Sequence, residues 1–73
     1  MNQKEFLKAF GKRLELLRKS KGYSYRKMSQ MCDIDYSDIS KIEKGNVNIK
    51  MSTILELSRA LEVDAKELFE FGK

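Results

Sequence analysis

Four residues, Cys32 to Asp35, are all that separate two short segments of helical apolar spacing. That spacing limits the fold more than any other feature of the chain. A connection this tight, between helices with their own caps and inward apolar positions, holds them at a large angle in a helix-turn-helix unit. An antiparallel helical hairpin is the other arrangement it allows. Strands are poorly supported, because no run alternates cleanly and β-branched residues are scattered. The fold class expected is all-α.

The rest of the chain reads as helices joined by short turns. Asn2 and Glu5 form a capping-box pair, which opens a first helix from about Lys4 to Ser20. Phe6, Leu7, Phe10, Leu14 and Leu17 make its apolar stripe. Gly22 stops it, after Arg18, Lys19 and Lys21, which suit the negative end of the helix dipole. Ser24 caps a second helix, over about 25–31, with Met28 and Cys32 turned inward. Asp35 caps a third, over about 36–44, with Asp38 at its third position, Ile39 and Ile42 buried, and Gly45 as the stop. A fourth covers about Met51 to Leu61 on Ile54, Leu57 and Leu61. Asp64 and Glu67 cap a short fifth helix carrying Leu68, Phe69 and Phe71. Residues 1–73 are expected to form one domain, a compact five-helix bundle.

Composition removes several kinds of function. The chain has 73 residues, no histidine and one cysteine, Cys32. A Cys/His zinc site, a histidine-based catalytic set and an intrachain disulfide are all ruled out. Phosphate-cradling glycine loops are missing too, and no base neighbours Cys32, a position expected in the core. No catalytic residue, metal or cofactor is therefore assigned, and the chain does not read as an enzyme. The segment before Lys21 is too charged for a signal peptide, and no apolar run spans a membrane. A cytoplasmic protein is expected. Residues 1–27 carry nine basic and two acidic side chains, leaving that third at +7 and the remainder at −3. A polyanion would meet the basic end first, although a solvated charged face is the commoner reading of such a run.

The segment YSYRKMSQMCDIDYSDISKIEKG, Tyr23 to Gly45, resembles without a gap the helix-turn-helix of the Cro/phage-repressor (Xre) family. The likeness extends back to FGKRLELLRKSKG and forward through NVNIKMSTILELSRALEVDAKELF. Its most specific phrase is Ile39-Ser40-Lys41-Ile42-Glu43-Lys44-Gly45. Within the family, restriction–modification controllers share the phrase IERGxxN, here Ile42 to Asn48. The resemblance implies a lambda-repressor-like, sequence-specific regulator of transcription that binds duplex DNA. Ser29 stands at the small position of the second helix and Asp33 at the turn position where glycine is usual. Aspartate takes the left-handed conformation there at modest cost. Tyr25 replaces the usual glutamine at the start of the second helix.

If the third helix enters the major groove, residues near its start reach base edges, and the resemblance implies that these are Tyr36, Ser37, Ser40 and Lys41. Lys41 suits guanine O6/N7, worth about 1–3 kcal/mol of discrimination. Ser24, Tyr25 and Arg26, with Lys44, Asn46 and Asn48 beyond the third helix, are the phosphate-contact candidates that fix register. Asp35 and Asp38 lie on the same face, where phosphate repels them. Capping duty for both is the expected reason, with acceptance from cytosine N4 by Asp38 the lesser one. The resemblance also implies an ion pair between Arg18 and Glu43, joining the first helix to the end of the third.

Phe69 and Phe71, with Leu55 and Val63, are the candidates for an isologous homodimer interface on a two-fold symmetric DNA operator. Folding back onto Phe6 and Leu7 is the competing use of the two phenylalanines. No small-molecule ligand is expected, so regulation is expected to follow protein concentration and the dimer equilibrium. An antitoxin-type module whose main partner is a protein toxin is the alternative function.

Overall fold

The structure, a computed structural model, describes residues 1–71. Among them it is all-helical: α1 (Gln3–Ser20), α2 (Tyr25–Met31), α3 (Tyr36–Glu43), α4 (Met51–Leu61) and a closing 3₁₀ turn (Ala65–Phe69). Local chemistry sets most of the ends. The Asn2 side chain accepts from the Glu5 N–H at 2.8 Å while the Glu5 carboxylate accepts from the Asn2 N–H at 3.0 Å. Ser24 Oγ accepts from the Lys27 N–H at 3.0 Å and opens α2. Gly22 and Gly45 lie at φ 76° and 74°. They close α1 and α3 with the paired bonds of a left-handed cap: Gly22 N–H to Lys19 O with Tyr23 N–H to Arg18 O, and Gly45 N–H to Ile42 O with Asn46 N–H to Lys41 O.

The core gathers Phe10 and Leu14 of α1, Met28 of α2, Ile39 and Ile42 of α3, Ile54, Leu57, Ala60 and Leu61 of α4, and Leu68 of the 3₁₀ turn. α3 packs on both α1 and α2, and the 3₁₀ turn on α1 and α4. The backbones of α1 and α3 come close together at Gly11. A Cβ there would stand 2.3 Å from the Glu43 carbonyl oxygen and 2.6 Å from that of Ile42, so only glycine lets the backbones of α1 and α3 meet.

Four local expectations are corrected. The fifth element is 3₁₀ rather than α. Five residues are too few to nucleate α-helix in isolation, and i→i+3 bonds from the Glu67 N–H to Asp64 O and the Glu70 N–H to Glu67 O hold it instead. Asp35 occupies the N-cap position of α3, but its carboxylate makes no cap hydrogen bond, because its own carbonyl takes the Asp38 N–H at 3.0 Å. Asp33 is not left-handed. The only non-glycine residue with positive φ among the described residues is Glu62, at 57°, which ends α4. The α2–α3 turn instead leaves α2 through Cys32 in extended conformation, φ −138° and ψ 166°. Finally, Phe6 belongs to the surface: it is 42 % exposed, and the helix stripe buries Phe10 and Leu14 in its place.

Candidate nucleic-acid interface

α3 has two faces. Ile39, Ile42 and Glu43 are buried, whereas Tyr36, Ser37, Lys41 and Lys44 are exposed and Ser40 is half-buried. Positions 36, 37, 40, 41 and 44 follow helical spacing, so these side chains share one outward stripe. Tyr36, at 54 % exposure, is its largest group.

A charged clamp sets the pose of that helix. Arg18 Nε donates to Glu43 Oε2 at 2.7 Å, and its terminal nitrogens donate to Glu43 Oε1 at 3.1 Å and to the Tyr23 carbonyl at 2.7 Å. Side-chain exposures of 7 % and 3 % place the pair inside the protein. A two-pronged guanidinium–carboxylate contact fixes direction as well as distance. The hydrogen bond to Glu43 raises the Arg18 pKa above its ordinary value against the opposing effect of burial, so the charge persists at every working pH. The Tyr25 ring lies beneath the guanidinium, 4.2 Å from its carbon to the ring centroid. The Tyr25 hydroxyl donates to Glu43 Oε1 at 3.0 Å. Three elements therefore meet on one carboxylate.

This arrangement changes the outlook for Tyr25, whose single hydroxyl hydrogen is spent inside the protein and is not aimed at a phosphate. Ser24 keeps that capacity: its oxygen accepts the cap bond while its own O–H remains a donor. Arg26, Lys27, Lys41 and Lys44 are exposed and, among the described residues, form no ion pair. Beyond α3, Asn46 and Asn48 are exposed as well. Asn48 Oδ1 accepts a hydrogen bond from Gln3 Nε2 at 2.8 Å, across 45 positions of sequence. Sequence reasoning missed Gln3, because no local pattern pairs a helix start with a distant loop. Asp35 and Asp38 stand exposed at the start of α3, and neither carboxylate accepts a hydrogen bond among the described residues. Capping does not account for them.

Away from this stripe, Phe69 and Phe71 fold onto α1. Phe69 lies 5.2 Å from Phe10 and 6.2 Å from Phe6 between ring centroids, and Phe71 lies 5.3 Å from Phe6. Arg13 secures this end by donating from Nε to the Glu67 carbonyl at 2.7 Å, with Glu70 at 3.5 Å. The cluster still leaves Phe6 42 % and Phe69 37 % exposed; Leu55 is 47 % exposed and Val63 half-buried.

Among the described residues, no group of acidic side chains and cysteine is placed to hold a metal, and no helix is long and apolar enough to cross a membrane. Two short helices at a tight turn, the second presenting an exposed polar stripe while its other face anchors in the core, define a helix-turn-helix protein. Comparison with known proteins makes the assignment specific. The chain belongs to the helix-turn-helix domain family of DNA-binding transcription regulators, whose family model matches residues 11–70. It is 36% identical over 63 residues to control protein C.BamHI of Bacillus amyloliquefaciens, covering 85% of this chain and 78% of that one. It also superposes on the crystal structure of the restriction-modification controller protein C.AhdI of Aeromonas hydrophila with a TM-score of 0.84. That match has 36% identity and covers 86% of this chain and 96% of the other. A hypothetical transcription factor of Neisseria meningitidis serogroup B is 33% identical over 55 residues, covering 75% of this chain and 52% of its own length. These relatives are regulators, not enzymes.

Proposed function

We propose that this chain is a cytoplasmic controller-type transcription regulator. In this reading it binds a two-fold symmetric operator as a homodimer, with α3 in the major groove. The observation that carries the reading is the exposed stripe of α3 held by the buried Arg18–Glu43 clamp, which gives Tyr36, Ser37, Ser40 and Lys41 a rigid base. Rigid placement is what base readout needs, since each donor has to meet a fixed edge pattern. Lys41 takes guanine O6/N7. Ser24, Arg26, Lys44, Asn46 and Asn48 grip phosphates on either side of the stripe. Tyr25 acts indirectly, through the clamp.

The two-fold interface draws on the exposed edges of Phe6 and Phe69, with Phe71, Leu55 and Val63 as further contributors. The intrachain aromatic packing places these rings in a fixed patch, and a second copy buries what the first leaves open. The likeness to controller proteins over most of their length supports a role beside a restriction–modification gene pair.

Selection of binding sites from random duplexes tests the reading. A symmetric consensus with half-sites about one helical turn apart is the expected result. No enrichment at low salt rejects it and favours a protein toxin as the partner. A monomer in sedimentation at micromolar concentration rejects the dimer.

A further inference from the structure

A second polar site lies where the start of α1 meets the loop after α3. Gln3, Lys4 and Leu7 of α1 and Gly45, Asn46, Val47 and Asn48 of the loop line a shallow cleft of about 300 Å³. Two features make it a built surface. The loop is pressed against α1 at Gly45, where an added Cβ would come within 2.9 Å of the Lys8 backbone, so the distance between the two elements is fixed. The Gln3–Asn48 hydrogen bond then fixes the orientation of the Asn48 amide. With Oδ1 occupied by the Gln3 donor, both Nδ2 hydrogens of Asn48 are, among the described residues, left for an acceptor. Lys4 and Lys8 are exposed beside it and, among the described residues, carry no carboxylate partner.

From this juxtaposition we infer that the start of α1 is part of the nucleic-acid interface. Asn48 donates to a phosphate oxygen of the duplex backbone, Lys4 and Lys8 neutralise that phosphate and its neighbour, and Gln3 is the positioning residue that aims Asn48. The chemistry fits an anion with exposed oxygens, and continuity with the loop that follows α3 makes the DNA backbone the favoured source. The inference rests on the reading of α3 as the groove-binding helix. It adds that contact continues past the helix-turn-helix onto a segment brought there only by tertiary folding.

The test uses the full chain and a mixed-sequence duplex, with binding measured by fluorescence anisotropy across a salt series. Lys4→Gln should flatten the slope of log affinity against log salt by about 0.9, the signature of one lost phosphate contact. Gln3→Ala should weaken binding roughly two- to tenfold, the worth of one net hydrogen bond, with the slope unchanged because no charge is lost. Gln3→Ala made on top of Asn48→Ala should add nothing further. Lys66→Gln, at the far end of the chain, should leave binding unaltered, and matched far-ultraviolet circular dichroism melts establish that each variant is folded. If Lys41→Ala loses affinity while Gln3→Ala and Lys4→Gln bind like the parent, this inference is wrong and the α3 reading stands. If the parent chain binds no duplex at low salt, the α3 reading fails and the inference falls with it.

Discussion

Replacing Glu43 by alanine should remove a large share of this protein's stability, and the expected size follows from the clamp. Arg18 and Glu43 have side-chain exposures of only 7 % and 3 %, so solvent screens their interaction little. Removing one member of a buried pair leaves the other charge desolvated and costs about 3–5 kcal/mol. In Glu43→Ala, Arg18 keeps the Tyr23 carbonyl as its one hydrogen-bond acceptor among the described residues, and the Tyr25 hydroxyl loses its acceptor, which adds about 1 kcal/mol. At roughly 0.05–0.15 kcal/mol per residue, a chain of this length has about 4–11 kcal/mol in total. The variant therefore forfeits a third of its stability or more. Thermal melting followed by circular dichroism should register a fall of at least about 16 °C, since each kcal/mol moves the midpoint of so small a protein by about 4–8 °C. The double variant Arg18→Met/Glu43→Leu separates charge from packing. With no stranded ion it should recover to within about 2 kcal/mol of the parent. A Glu43→Ala variant within about 1 kcal/mol of the parent would refute the argument, because the carboxylate would then be no structural centre.

Three further outcomes follow from other positions. Gly11→Ala should destabilise by about 1–3 kcal/mol in urea titration, because the added methyl meets the carbonyls of Ile42 and Glu43, which are backbone and cannot swing aside. Glu62→Gly should stabilise by about 1 kcal/mol in the same assay, since glycine carries a φ of 57° without the steric penalty that glutamate bears there. Burial pushes the Cys32 thiol above its ordinary value of 9.0. The folded state therefore holds its proton where the unfolded chain gives it up. That contribution to stability is complete below 9.0 and fades as pH rises beyond it. Melts on either side of that pH should differ more in the parent than in Cys32→Ala.

What could be read from sequence and what could not divide along a physical line. Signals carried by neighbouring residues were legible: the Asn2–Glu5 exchange, the Ser24 cap, and the two glycines that close α1 and α3. All-helical architecture followed from the same local periodicity. The misses were competitions decided elsewhere. Asp35 does not cap because the Asp38 N–H is taken by backbone. Tyr25 looked like a surface donor until folding brought Glu43 within 3.0 Å of its hydroxyl. Gly11 sits mid-helix, where nothing local asks for glycine; the demand comes from the backbone of another helix. Gln3 and Asn48 are joined only by the tertiary path between them. For the candidate interface, then, the stripe of α3 was visible in its spacing and the Arg18–Glu43 pair through the family resemblance, while the place of Tyr25 in that clamp and the Gln3–Asn48 extension were not.

The two faces of α3 have a consequence for how such a protein can change over generations. Ile39, Ile42 and Glu43 hold the helix, and Tyr36, Ser37 and Lys41 point away from everything that does so. Two messages are thus interleaved in eight residues, one addressed to the scaffold and one to the outside. Substitutions in the outward message leave the inward one unread, so, with α3 reading DNA as proposed, target preference can drift without passing through an unfolded intermediate. The same separation makes the outward positions a natural place to rewrite the target by design while the inward ones stay as they are.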